Sequence, residues 1–362
     1  MRRIPEDASP APARASRLAR TLFFVYVLLV AYASLYPFSG WRDVGLSPLA
    51  FLNGPWPRYV TAFDITVNVA GYLPFGLLAV LAIYPRLAPT AAALLAVAAA
   101  AALSLLLEAA QSYLPARVPT NLDVLCNIGG AALGAALAQH FAVLIGGGPL
   151  SRQRAAALLA GPDLDFGLVV LGLWFFIQLN PAVLLFGSGD LRDLLAPFDG
   201  RARRPEFFIV IEAATTAANL IAVALILSAL VAPGRPVRAM IMLMMLAALS
   251  VKTAAVAILM RAENVFTWLT HGAQIGLAVG IAGALAAVAL PRTARLVLAA
   301  VLLMAATVLV NLAPPNPYLA DSLKVWQQGH FLNFNGLTRL VSALWPFIAL
   351  GYLMVLASRR LK

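Results

Sequence analysis

Polar side chains recur with helical spacing between residues 64 and 134 of an otherwise apolar chain. They form three pairs, which are Asp64 with Asn68, Glu108 with Gln111, and Asp123 with Asn127. Residues three or four positions apart lie on one face of a helix, so each pair points to one side. Carboxylates and amides of this kind transfer protons or hydrogen-bond a ligand. The spacing therefore predicts a polar site shared by three neighbouring helices, with Arg117 on the connector between the last two.

Several of these residues also have a purely structural interpretation. Asp64 and Asp123 each follow a threonine by three positions, which matches a capping box at a helix N-terminus. Asn68 and Asn127 could simply bridge helices through hydrogen bonds worth about 0.6 kcal/mol each. Both interpretations stay open from the sequence alone.

The elements that must hold these residues are membrane-spanning helices. Hydrophobic residues make up 62% of the 362 residues and charged residues only 11%, whereas an ordinary soluble domain has about 25% charged residues. A soluble enzyme and a disordered protein are therefore excluded. Ten apolar segments are long enough to span a bilayer, at 18–36, 64–84, 90–112, 121–145, 163–180, 206–231, 237–260, 265–290, 295–312 and 337–357. They predict an all-α, polytopic transmembrane helix bundle of about ten spans.

The three carboxylates are expected at one membrane interface. Counted from a helix start near Thr90, Glu108 lies about 18 residues, or ~27 Å, farther on, close to the far boundary of a hydrocarbon core about 30 Å thick. Asp64 and Asp123 begin helices that return from that boundary. A carboxylate near a helix C-terminus opposes the helix dipole and needs a partner at the lipid boundary. Arg117 is the nearest candidate partner of Glu108, for which a functional role is favoured.

The positive charge of the chain indicates its orientation. Segments expected in the cytoplasm hold 15 basic and four acidic residues, which accounts for the whole net charge of +11. By the positive-inside rule this distribution predicts cytoplasmic N- and C-termini in a bacterial inner membrane, and no nucleic-acid partner. The first span begins after an arginine-rich tail and is interpreted as an uncleaved anchor, because its apolar run exceeds that of a signal peptide.

An internal repeat divides the chain. The sequence AALS at 101–104 recurs at 247–250, and the same offset of 146 places Gly130 and Gly134 on Gly276 and Gly280. GxxxG spacing allows close helix packing, so degenerate, parallel four-helix repeats are predicted. The expected parts are a cytoplasmic tail (1–17), a first four-helix unit with the outward-facing polar site (18–145), a cytoplasmic linker (146–162), a degenerate second four-helix unit (163–290) and a two-helix half-unit (291–362).

The second unit lacks the acids of the first but has buried charges of its own. Lys252 lies within the seventh predicted span, and we expect it to pair with Glu212 across helices. The chain has one cysteine, Cys126, and three scattered histidines, so neither a metal site nor a cofactor is expected.

The quoted residues resemble those of the VanZ-like family of bacterial integral membrane proteins over roughly residues 20–140. The similar motifs are Asp64-x-x-x-Asn68, Pro74-Phe75-Gly76, Glu108-x-x-Gln111, Arg117 and Asp123-x-x-x-Asn127-x-x-Gly130-x-x-x-Gly134. The family takes its name from a protein linked to teicoplanin resistance. The resemblance therefore implies a setting in the cell envelope and, by name, antibiotic resistance.

Three functions remain open from the sequence. The first is binding of an amphiphile (a membrane lipid, a lipid-linked envelope precursor or a lipoglycopeptide) at the outer interface, with Arg117 on an anionic group and the acids on an ammonium or hydroxyl. The second is a membrane-embedded enzyme with Glu108 or Asp64 as acid or base on an outer-leaflet lipid. The third is a secondary transporter with Lys252 and Glu212 as coupling groups. The sequence does not indicate an oligomeric state.

Overall fold

The computed structural model of the protein describes most of the chain as helix. The described residues are 17–43, 45–84, 86–146, 158, 162–192, 204–259, 265–314, 316 and 332–358. Nearly all of the predicted cytoplasmic tail and most of the predicted linker lie outside these ranges. The ten α-helices of the described ranges are α1 (Arg17–Leu35), α2 (Ala62–Ile83), α3 (Pro89–Gln111), α4 (Asn121–Gly146), α5 (Pro162–Ile177), α6 (Pro205–Leu230), α7 (Val237–Leu259), α8 (His271–Ala287), α9 (Arg292–Leu312) and α10 (Leu332–Ser358).

The predicted all-α, membrane-helix fold is confirmed, and no strand occurs among the described residues apart from an isolated bridge between Leu158 and Val231. Eight helices are long and apolar enough to cross a membrane. The other two are shorter than predicted, since α5 has 16 residues and α8 has 17. The shorter α5 ends at Ile177, so the last three residues of its predicted span lie beyond the helix, with Gln178 and Leu179 in a turn.

Local sequence signals explain where several helices begin. Proline occupies the first turn of α3 and α6, where its missing N–H costs nothing. Threonine caps α2 and α8: the side chain of Thr61 accepts a hydrogen bond from the backbone of Asp64, and Thr270 accepts one from Ala273. These caps fix the ends at which the polar residues lie.

The chain divides into two compact units, residues 1–156 (unit 1) and 157–362 (unit 2). In unit 1, α2 packs along α4, while α1 and α3 pack against both α2 and each other. Its core contains the aromatic rings of Tyr72 and Phe75 and many alanines on α3 and α4. Small core residues bring these helices close together, which is how membrane helices gain packing energy without a hydrophobic driving force.

Glycines form the contact between α2 and α4. A Cβ on Gly134 would lie 2.8 Å from the carbonyl carbon of Leu73, and one on Gly76 would lie 2.7 Å from that of Ala131. Gly130 similarly faces the backbone of Val69. The two helices therefore approach backbone to backbone at three positions, Gly130, Gly134 and Gly76.

Unit 2 contains a comparable contact between α6 and α8. Gly276 faces Ala213 and Thr216, and Gly280 faces Ala217, so both glycines lie against α6. Helix α9 also packs on α6, and α10 packs on α5 and α9. The predicted half-unit thus packs with the helices of the second four-helix segment. The repeat itself stays a prediction.

A buried, non-helical segment (residues 178–192) follows α5, and Lys252 binds it. The Lys252 amine donates to the carbonyls of Asn180 and Val183, each at 2.7 Å, and its side chain is fully buried. Glu212 instead hydrogen-bonds the side chain of Thr270. The expected Lys252–Glu212 pair is therefore wrong. Irregular backbone in a membrane protein needs such internal partners, and the lysine supplies them here.

We expect alanine at Gly76 or Gly134 to destabilise unit 1 by about 1–3 kcal/mol, because a side chain there forces the α2 and α4 backbones apart. Reversible unfolding in mixed detergent micelles measures this loss. Gly71 and Gly129 are matched controls on the same two helices, since a Cβ at either meets nothing within 4 Å. Equal effects at all four positions would rule out a backbone contact as the cause.

Candidate functional site

The candidate site lies at the polar end of unit 1, which we define as the end where α1 and α3 finish and α2 and α4 begin. A connector of residues 112–120 joins α3 to α4 there. Leu114 is only 1% exposed and anchors the connector in the core. Backbone hydrogen bonds from Leu114 to Gln111 and from Arg117 to Leu114 tighten it into consecutive turns. This compact connector brings the last turn of α3 against the first turn of α4.

Glu108 lies in that last turn of α3 and is only 5% exposed. The backbone N–H of Thr120 donates to its Oε2 at 3.1 Å. The carboxylate therefore satisfies a backbone donor at the start of α4, where a negative charge also interacts favourably with the helix dipole. Glu108 is unfavourably placed with respect to the dipole of its own helix, α3. The hydrogen bond from the start of α4 offsets part of that cost.

Asp123 lies in the first turn of α4 and binds across to α2. The side-chain amide of Asn68 donates to Asp123 Oδ1, and the Asp123 backbone N–H donates to Thr120 Oγ1 at 3.0 Å. Asp123 and Glu108 are close enough to interact electrostatically. The site thus places two carboxylates within electrostatic range of each other at the junction of three helices.

Asp64 has the structural role that its capping motif predicts. Its Oδ2 accepts hydrogen bonds from the Thr61 backbone N–H at 3.0 Å and from the Thr61 hydroxyl at 2.7 Å. Asp64 is exposed. It contributes negative charge to the site, since it interacts electrostatically with Asp123, but its carboxylate is engaged at the helix start.

Asn127 lies one helical turn below Asp123 and is 5% exposed. Its Nδ2 donates to Ser104 Oγ at 3.0 Å, and Ser104 also hydrogen-bonds the Tyr72 hydroxyl. Within the described part of the chain, Asn127 Oδ1 is buried without a hydrogen-bond partner. Buried polar atoms are almost always paired, so this oxygen is an acceptor available for a further hydrogen bond.

Arg117 and Gln111 both bind the end of α1. The Arg117 guanidinium donates to the carbonyls of Ala33 at 3.2 Å and Tyr36 at 3.0 Å, while Gln111 Nε2 donates to Ser34 O at 2.8 Å. Burial lowers the pKa of Arg117, and the negative charge of Glu108 partly opposes this. Arg117 and Glu108 interact electrostatically but do not form a direct ion pair. The expected Glu108–Arg117 partnership is therefore indirect.

The structure thus brings six of the seven predicted residues into two groups. Asn68, Glu108, Asp123 and Asn127 surround the α2–α3–α4 junction, whereas Gln111 and Arg117 fasten α1. The seventh, Asp64, caps α2. Tyr72 was missed, although it follows Asn68 by four positions and so shares its helix face. Thr120 was missed as the partner of Glu108 because its contact is a backbone N–H, which side-chain spacing does not reveal.

The junction is rich in acceptors: two carboxylates and the free oxygen of Asn127. This chemistry suits hydroxyl or ammonium donors. Among the described residues, no group of three or more histidine, cysteine, aspartate or glutamate side chains could hold a metal ion.

We expect Arg117→Met to destabilise unit 1 by about 2 kcal/mol, because hydrogen bonds from a charged donor to two backbone carbonyls are lost. Thermal unfolding in detergent measures this effect. Arg58→Met removes an exposed arginine outside the α1 contact and should change stability by less than about 0.5 kcal/mol. An Arg117→Met protein as stable as the wild type would show that the guanidinium does not fasten α1.

Comparison with known proteins identifies unit 1. Residues 21–144 match the family model described as VanZ/LLP1. No curated protein and no solved structure matches the chain. The matched residues span almost all of α1 to α4 and contain every residue of the polar end discussed above. Unit 1 is therefore similar to the VanZ-like family over these residues.

Proposed function

We propose that unit 1 binds the headgroup of an amphiphile at the polar end. The amphiphile is a membrane lipid, a lipid-linked envelope precursor or a lipoglycopeptide. The observation that carries this proposal is the set of hydrogen-bond acceptors at the α2–α3–α4 junction. Glu108 and Asn127 are each only 5% exposed there, and the Oδ1 atom of Asn127 has no hydrogen-bond partner among the described residues. Helix α3 ends and helices α2 and α4 begin at this polar end. The ends of membrane-spanning helices are expected at the depth of lipid headgroups.

The proposal assigns the headgroup a hydrogen-bond donor. Asp123 and Glu108 interact electrostatically, and none of the described lysines or arginines lies within ion-pair distance of either. An ammonium or a hydroxyl would relieve their repulsion and satisfy Asn127. Arg117 already donates to two carbonyls, so the geometry favours the acids over Arg117 as the groups that contact the ligand.

The two alternatives find less support. Asp64 is held in its capping box, so an enzymatic role in proton transfer would rest on Glu108. The transporter hypothesis relied on coupled charges at Lys252 and Glu212, which have separate partners. A lipid comparison separates binding from catalysis: an enzyme would change the lipid composition of membranes between a deletion strain and its parent, as measured by mass spectrometry.

We expect Glu108→Gln and Asp123→Asn to abolish binding while the domain stays folded. Glutamine can still accept the Thr120 N–H, and asparagine can still accept from Asn68, so only the charge is removed. Native mass spectrometry of protein purified from its own membranes measures the result. Wild-type protein should retain a lipid or lipid-linked adduct that both variants lack.

Glu206→Gln is the matched control, because it makes the same carboxylate-to-amide change at an exposed position on α6. Its adduct should equal that of the wild type, and unfolding curves should confirm that all three variants are folded. If both site variants keep the full adduct, the proposed site is wrong.

The proposed setting is a bacterial inner membrane with both termini in the cytoplasm and the polar end outside, in an envelope role such as response to teicoplanin. Its support is the excess of basic residues in the segments expected inside, together with the VanZ-like domain. An even number of spans, ten as predicted from the sequence or the eight long apolar helices of the described residues, returns the chain to its starting side. Alkaline phosphatase fused after Lys362 should therefore be inactive and a fluorescent cytoplasmic reporter should be active. The reverse pattern would refute this orientation.

A further inference from the structure

The segment between α1 and α2 exposes an unusual amount of apolar surface. We call residues 38–60 the rim segment; all of it except Val44 is described. Tyr59 is 94% exposed, Leu46 68% and Trp56 60%. The other large apolar side chains exposed on this segment are Phe38, Trp41, Leu49, Leu52 and Val60. A concentration of exposed apolar side chains in one short segment suits an interaction with an apolar partner.

The rim segment is fastened to the polar end at two points. The Arg42 backbone N–H donates to the carbonyl of Tyr113 at 2.9 Å. Farther along, the side chain of Asn121 donates to the carbonyl of Gly54 at 3.1 Å. Tyr113 lies near the start of the connector (residues 112–120), and Asn121 follows directly after its end. The segment is therefore held beside the acceptor junction, and Phe38 packs on the ring of Tyr32 of α1, while Leu46, Trp56 and Tyr59 are largely exposed.

The neighbouring helices identify what covers this surface. Helix α1 ends at Leu35 and α2 begins at Ala62, and both are long and apolar enough to cross a membrane. The rim segment therefore starts and ends at the same membrane surface. Tryptophan and tyrosine prefer the interface between headgroups and acyl chains, and Arg42 and Arg58 can extend to lipid phosphates from that depth.

We propose that the rim segment is seated in the lipid leaflet at the polar end, with its exposed aromatic and leucine side chains among the upper acyl chains. The occupant of the apolar surface is lipid, continuous with the lipid around α1 and α2. The segment then forms a membrane-embedded edge beside the Glu108–Asp123 junction. This inference concerns the position of the segment and does not depend on which headgroup the junction binds.

Site-directed spin labelling tests this position in the full-length protein. The single native cysteine is replaced (Cys126→Ser), and the protein is reconstituted in vesicles of phosphatidylethanolamine and phosphatidylglycerol. Nitroxides are attached to cysteines introduced singly at Leu46, Trp56 and Tyr59. Their depth is read from collision with oxygen, which concentrates in lipid, relative to a water-soluble nickel complex.

Two matched positions calibrate the depth. Asp43 is an exposed polar residue of the same segment and should report water, and Leu94, which is 73% exposed on α3, should report the acyl chains. We expect all three apolar sites to shift from the Asp43 value towards the Leu94 value. Nickel accessibility equal to that at Asp43 would place the segment in water and overturn the proposal. Low accessibility to both reagents would overturn it in favour of a protein partner. Neither result would bear on adduct retention by the carboxylate variants.

Discussion

The close approach of α2 and α4 is the constraint on which the polar end depends. Gly130 and Gly134 bring the α4 backbone against Val69 and Leu73. About two turns nearer the start of α4, Asp123 accepts a hydrogen bond from Asn68 of α2. A side chain at either glycine would separate the helices and with them this amide–carboxylate pair. The small residues thus set the geometry of the polar ones, although they make no polar contact themselves.

Glu108 links the stability of the domain to its chemistry. Its carboxylate accepts the Thr120 N–H and so helps to begin α4. The same group contributes charge to the acceptor junction, next to Asp123. A carboxylate buried at a helix C-terminus is costly, and the hydrogen bond from the next helix offsets part of that cost. A ligand with a donor group would offset more, which couples binding to the packing of α3 against α4.

Helical spacing predicted the residues of the site better than their partners. The positions of Asn68, Glu108, Asp123 and Asn127 follow from 3.6-residue periodicity and from alternating helix directions, so their meeting could be foreseen. Arg117 was expected beside Glu108 and instead holds α1 carbonyls. Its partners are backbone atoms, whose orientation depends on how the chain turns after a helix. The orientation of these backbone carbonyls could not be predicted from the types of the side chains.

The same limit explains the buried charge of unit 2. Lys252 and Glu212 have opposite charges on neighbouring spans, which made a pair the simplest expectation. The early end of α5 changed the outcome, because it exposes carbonyls of the segment 178–192 to the lysine. The last residues of the span predicted as 163–180 include Gln178 and Asn180, and Pro181 follows, so the earlier helix end coincides with a polar stretch that the mean hydropathy of the span concealed.

The buried segment after α5 also has a consequence for biogenesis. The Asn180 carbonyl is bound by a lysine 72 residues later, and the Asn180 side chain donates to Thr338, 158 residues later. During synthesis, α5 therefore leaves the ribosome long before its partners exist. Unit 2 cannot complete its interior helix by helix as each span enters the bilayer. Its final packing must wait until α10, the last helix, has been delivered to the membrane.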